Sequence, residues 1–173
     1  MRTTYVSIGY QCSPRMFIKY SLQLSKNQGY KSCPFDLCIT PYQALYECLN
    51  TDFKYFFDEL HLIPGENGDG DRSQCGKGLQ NITNKYGIIF NHESSTHSHL
   101  FRDGTNDDDF YIRDDFIEFK KRYKQRISNF YNHIEKNDKI VLVHTYGICE
   151  ITDLDPICHI LSDRYPAKQF IYL

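Results

Sequence analysis

Apolar side chains recur every three or four residues from Phe116 through Phe119, Tyr123, Ile127 and Phe130 to Ile134, and that spacing predicts one long amphipathic helix over about residues 114–136. Asp114, Asp115 and Glu118 crowd its opening, where the positive end of the helix dipole favours carboxylates. The pattern then changes to an almost unbroken apolar run, Lys139 to His144, which predicts a strand. Asp155-Pro156 supplies a cap and a helix-opening proline for a helix to about Arg164, and Gln169 to Leu173 predicts a last short strand. Helix, strand, helix, strand with short connections is the order expected of parallel crossovers.

The first half alternates less regularly. Thr4 to Gly9 reads as a β-branched and aromatic strand, followed by Ser13 as a cap and Pro14 as the first residue of a helix to about Ser25. Its buried side would be Phe17, Ile18, Leu22 and Leu24, and Asn27-Gln28-Gly29 would end it. Cys33 to Ile39 is a short strand or a tight turn, with Pro34 against a central strand. Thr40-Pro41-Tyr42-Gln43 has the form of a capping box opening a helix to about Asn50, and Asp52 to Leu60 reads as further helical turns. Tyr86 to Phe90 predicts a strand ending at Asn91-His92. The Gly-, Asp- and Asn-rich stretch from Pro64 to Gly78 and the polar stretch from Glu93 to Asp109 predict loops, with a strand at Phe110 to Ile112.

These elements predict an α/β fold, a three-layer sandwich around a mostly parallel sheet. No linker or internal repeat divides residues 1–173, so a single domain is expected, and it ends on a strand as a chain clipped at its C-terminus would. A composition of 40% hydrophobic residues supplies enough apolar material for one core. Twenty basic against 22 acidic residues leave a formal charge of −2, so no global field draws the protein to nucleic acid or an anionic membrane. The N-terminus lacks a signal-type apolar core, and no window approaches the ~18 apolar residues of a membrane span. The expected address is the cytoplasm. The seven cysteines, at 12, 33, 38, 48, 75, 149 and 158, are odd in number and irregular in spacing, which suits reduced thiols.

Cys12 is the first candidate for chemistry. A thiol in the turn between a strand and a proline-initiated helix faces unpaired backbone N–H groups and the dipole's positive end, and both favour the thiolate. Gly9 permits the tight turn that such a placement needs, as in the nucleophile elbows of hydrolases. The plain alternative is a small buried thiol that packs a turn.

Ser7-Ile8-Gly9-Tyr10-Gln11-Cys12, Pro34-Phe35-Asp36, Asp52-Phe53 with Phe56-Phe57, and Tyr86-Gly87-Ile88-Ile89-Phe90-Asn91-His92 together resemble the papain-like cysteine peptidase family of unestablished function. The resemblance spans residues 5–92 and continues in layout only through the basic helix near Lys120 to Arg126 and the strand at Ile140 to His144. It implies a Cys-His hydrolase with Cys12 as nucleophile and His92 as base, and the label implies a papain-like α+β fold as the alternative to the parallel sandwich. Leu37 stands where the family usually has tryptophan, in a chain with no tryptophan at all.

His92 ends a predicted strand and enters a polar loop, from which an imidazole can reach a cleft and take a proton from Cys12. His144 is the rival base, because it ends the apolar strand at a carboxyl edge where open sheets place their sites. Asp36 either orients the histidine as the third member of a triad or hydrogen-bonds the turn after Pro34. Backbone N–H groups of Cys12 and Ser13 are candidates for an oxyanion hole.

Other constellations carry less. His92, His97, His99 and Asp103 are zinc-type ligands without a standard spacing, the residues 66–71 lack EF-hand spacing, and there is no Cys-x-x-Cys pair. No metal or cofactor is expected. Lys120, Lys121, Arg122, Lys124 and Arg126 read as the solvated face of the long helix. The leading functional expectation is a cysteine-dependent hydrolase or acyltransferase acting on an unidentified substrate. The alternatives are a non-catalytic α/β binding module and a transferase-like domain that holds an anion at a helix start.

Overall fold

A computed structural model describes residues 1–64, 80–93, 110–145 and 154–173. Two small sheets organise it. Strand β1 (Thr3–Ser7) pairs in parallel with β5 (Lys139–Val143), and β5 pairs in parallel with β6 (Gln169–Tyr172), giving the order β1-β5-β6. Strands β2 (His61–Pro64), β3 (Gln80–Thr83) and β4 (Ile89–Phe90) form an antiparallel sheet in sequence order, to which Ile39 adds a single bridge at Ile89. Four helices accompany them: α1 (Ser13–Tyr20), α2 (Tyr42–Asn50), α3 (Arg113–Glu135) and α4 (Asp155–Arg164).

The central position of β5 follows from its composition, since Ile140, Val141, Leu142 and Val143 are all buried. Successive side chains leave a strand on opposite faces. Val6, Ile8, Ile140 and Leu142 join one large core cluster with Phe119, Tyr123, Phe130 and Ile134 of α3. Val143, with Tyr5 beside it, belongs to a second cluster built on Ile18 of α1 and Tyr30. The connection from β5 to β6 runs through α4, whose Ile157 and Leu161 are buried in the large cluster.

The chain is thus a mixed helix-and-strand structure holding both a parallel and an antiparallel sheet. Several expectations are displaced by local chemistry. Helix α1 stops at Tyr20 rather than near Ser25, because Ser25 closes a capping box with Gln28 over a separate 3₁₀ turn at Lys26–Gln28. Gly29, with φ 93°, ends that turn. Thr40 caps nothing; it is fully buried, its hydroxyl lies 3.3 Å from Cys38 Sγ, and α2 starts after Pro41.

The strand predicted at Tyr86–Phe90 shrinks to Ile89–Phe90. Asn84 captures the approach, accepting from Gly87 N–H at its carbonyl and from Ile88 N–H at its side chain, with Gly87 at φ 78°. Phe110 to Ile112 is a turn rather than a strand. Asp114, Asp115 and Phe116 adopt left-handed dihedrals at the start of α3, so the two aspartates do not lie in a regular right-handed first turn. The loops expected after Pro64 and after Glu93, together with His97, His99 and Asp103, lie outside the described residues.

Candidate active site

The site begins where β1 ends. Ile8 continues the pairing by donating its N–H to Val143 O, and Gly9 then turns the chain with φ 102°. A Cβ at Gly9 would stand 3.1 Å from Thr40 Cβ, so both the dihedral and the close approach call for glycine. Gly9→Ala should therefore cost about 1–3 kcal/mol of stability, measurable by urea unfolding; an unchanged midpoint would contradict this account of the turn.

Cys12 is the N-cap residue of α1, one position earlier than the serine expected to cap it, and its carbonyl receives the Met16 N–H. Pro14 follows inside the first turn, where its missing N–H costs nothing. The Cys12 thiol is half-buried, and its Sγ lies 2.8 Å from Nε2 of His92, eighty residues along the chain. With the thiol protonated, Sγ–H donates to Nε2 and the neutral ring carries its own proton on Nδ1.

Burial pushes the Cys12 thiol up from its ordinary value, opposed by a hydrogen bond from its own backbone N–H. That differs from the expectation of a thiolate stabilised at a helix start, because desolvation penalises the charged form and is the larger effect here. Cys33, Cys38 and Cys48 are more deeply buried and are pushed up in the same way, Cys38 to about 12. Cys158 is intermediate in exposure and is raised to about 11.

His92 occupies a tight turn, closed by the Glu93 N–H donating to Phe90 O. Phe90 anchors one end in the core, edge-on to Phe119 at 4.8 Å and to Tyr123 at 4.7 Å between ring centroids. Glu93 anchors the other. Its Oε1 accepts from Arg122 Nε at 3.1 Å and Tyr123 Oη at 3.2 Å, and pairs with Arg126 Nη2 at 3.1 Å. Its Oε2 is buried and has no hydrogen-bond partner among the described residues.

Asp36 is buried in the turn that follows Pro34. Tyr30 Oη donates to its Oδ1 at 3.1 Å, while the Cys33 N–H reaches Oδ2 at 3.1 Å and Arg15 Nε lies 3.7 Å from the same oxygen. Asp36 N–H in turn donates to Cys33 O, so the residue closes the turn from both sides. The hydrogen bonds and ion pair given for its carboxylate go to Tyr30, Cys33 and Arg15. Burial raises its carboxyl to about 6, with the Cys33 N–H, Arg126, Arg15 and Tyr30 opposing.

His144 follows β5, its backbone N–H bound to Leu173 O, and burial lowers its pKa. Among the described residues the histidine hydrogen-bonded to Cys12 Sγ is His92. A groove lined by Thr3, Thr4, Leu22, Leu24, Tyr30 and His133 opens beside the first half of β1 and includes neither Cys12 nor His92.

The buried arginine cluster was not visible as such in the sequence. Lys120 to Arg126 reads as a solvated basic face, yet Arg126 is only 6% exposed and Arg122 sits against Glu93. The signal was present: 119, 123, 126 and 130 continue the three-four repeat, so Arg126 stands on the apolar stripe itself. An arginine there needs a buried acid, and Glu93 is that acid. Among the described residues no group of three His, Cys, Asp or Glu side chains is placed to hold a metal ion, and no helix is long and apolar enough to cross a membrane.

Residues 3–167 match the family model described as "Putative papain-like cysteine peptidase (DUF1796)". The chain belongs to this family. No curated protein and no solved structure matches it. The match extends the resemblance carried by the Cys12, Asp36 and His92 segments through α3, β5 and all of α4.

Proposed function

We propose that this member of the papain-like cysteine peptidase family is a cysteine-dependent hydrolase in which Cys12 is the nucleophile and His92 the base. The observation that carries this reading is the 2.8 Å separation between Cys12 Sγ and His92 Nε2. Such a pair lets a thiol with a raised pKa act at neutral pH, because the proton leaves as the new bond forms. Sγ attacks the acyl carbon while its proton passes to Nε2, and the imidazolium then protonates the departing amine or alcohol. Water, deprotonated by the same imidazole, cleaves the thioester to release acid and restore the thiol. An acceptor other than water would make the enzyme an acyltransferase.

Backbone N–H groups of Cys12 and Ser13 at the start of α1 are suited to holding the oxyanion. Asp36 acts in this scheme as the support of the Cys33–Asp36 turn, and His144 as a neutral neighbour at the sheet edge. The apolar clusters on alternate positions of β1 and β5 support a three-layer α/β arrangement beneath the site. A second reading, a binding module in which Cys12 only packs, draws on the upward shift it shares with Cys33, Cys38 and Cys48.

The two readings separate on exposure to p-nitrophenyl acetate. The hydrolase should form an acetyl thioester on Cys12, seen by peptide mass, well before Cys158 reacts, and Cys12→Ala should form none there. Acetylation of Cys12 no faster than that of Cys158 would leave the packing role as the better account.

A further inference from the structure

We infer that Glu93, held by Arg122 and Arg126, is the positioning residue of the Cys12–His92 pair. The inference rests on the hydrolase reading and adds a part to it. His92 is an interior corner of the Phe90–Glu93 turn, so the direction of its ring follows from where the two ends of that turn are fixed. Phe90 fixes one end by packing and by its place in β4, opposite Ile82 of β3 and next to Ile89, which exchanges backbone hydrogen bonds with Ile39. Glu93 fixes the other end through two hydrogen bonds and an ion pair made on one carboxylate oxygen by side chains of a single helix, α3.

Arg126 also ties the two halves of the site. Its Nη1 donates to Tyr123 Oη at 2.7 Å and reaches the Asp36 carbonyl at 3.5 Å. The Asp36 turn leads through Cys38 to Thr40, whose side chain lies against the Gly9 turn that delivers Cys12. One guanidinium therefore bears on the segment carrying the base and on the segment supporting the nucleophile. Burying an arginine and a glutamate is an expensive way to hold a core together, since apolar residues of similar volume often do so at least as well. Directional positioning is something that apolar replacement does not supply.

The test follows the rate of Cys12 alkylation by iodoacetamide against pH in Glu93→Gln, in the double variant Glu93→Leu with Arg126→Met, and in His92→Ala. The double variant removes both deeply buried charges together and leaves Arg122, which is partly exposed, to be solvated by water. Glu93→Gln should lose on the order of tenfold in the His92-dependent rate at pH 7, and the double variant should take on the profile of His92→Ala while unfolding at a urea midpoint close to the parent. A folded double variant with the parent profile would show that Glu93 and Arg126 merely fill space, and would overturn the inference. If His92→Ala itself keeps the parent profile, the hydrolase reading has failed, and the positioning role falls with it for that separate reason.

Discussion

Replacing His92 with alanine should slow alkylation of Cys12 at pH 7 about a hundredfold, the scale on which a positioned proton acceptor contributes. The sign follows from burial. Desolvation holds the Cys12 thiol above its ordinary pKa, so without a base very little thiolate is present at neutral pH, and the rate of the variant should climb only in the alkaline range. With His92 2.8 Å away, the proton has somewhere to go, and the rising limb of the parent profile should lie at lower pH than that of the variant. Peptide mapping after iodoacetamide checks this directly. Cys33, Cys38 and Cys48 serve as internal controls, since they are buried and should remain unlabelled until the protein unfolds. Superimposed profiles for parent and variant would remove the general-base role.

The second large effect concerns stability. Asp36→Ala strips a buried carboxylate from Arg15, Tyr30 Oη and the Cys33 N–H at once, and should cost about 3–5 kcal/mol by urea unfolding at pH 7. Asp36→Asn keeps an acceptor and supplies the pH control. The folded carboxyl is raised from 3.8 to about 6, so folding favours its protonated form. That contribution is fully present below the unfolded pKa and is lost as pH rises through about 6. The advantage of the parent over Asp36→Asn should accordingly shrink by about 3 kcal/mol between pH 3.5 and 7. A pH-independent difference between the two would mean that Arg15 and Arg126 cancel the desolvation. If Asp36→Asn instead changed the alkylation profile of Cys12 without changing stability, the turn role would give way to a role in orienting the base.

The parts of this architecture that the sequence announced are those whose signal is repeated many times. The apolar repeat of α3 runs for about five turns from Phe116 to Ile134, and β5 is a run of four buried apolar residues, so no single local interaction could displace either. Shorter elements were decided by one side chain each: Asn84 trimmed β4, and Ser25 with Gln28 cut α1 short. Strands β2 and β3 went unread because His61–Pro64 contains a proline and Gln80–Thr83 is mostly polar, and they are held by cross-strand pairing, β2 with β3 and β3 also with β4.

The candidate pair was legible for a different reason. Strand, glycine turn and proline-initiated helix point to Cys12 whatever lies around it, and His92 stands at the end of an apolar segment. What a linear pattern does not contain is the environment of those residues. The burial that raises the Cys12 thiol and the path from Arg126 to Glu93 both depend on tertiary packing between segments about 30 to 100 residues apart. Arg126 was misread for the same reason, since its place on the stripe means burial only once an acid is known to meet it.

The parallel ladder between β1 and β5 has a consequence for how the molecule is made. The strand described beside β1 lies more than 130 residues later in the chain, so the turn that presents Cys12 gains its lateral support only after Lys139–Val143 have been synthesised. His92, by contrast, emerges about thirty residues before Arg122 and Arg126, the side chains of α3 that hold its turn through Glu93. During translation the thiol and the imidazole are therefore both exposed to solvent well before the framework that joins them exists. The hydrogen bond between Cys12 and His92 can therefore form only after the later segments that hold its two ends have been made.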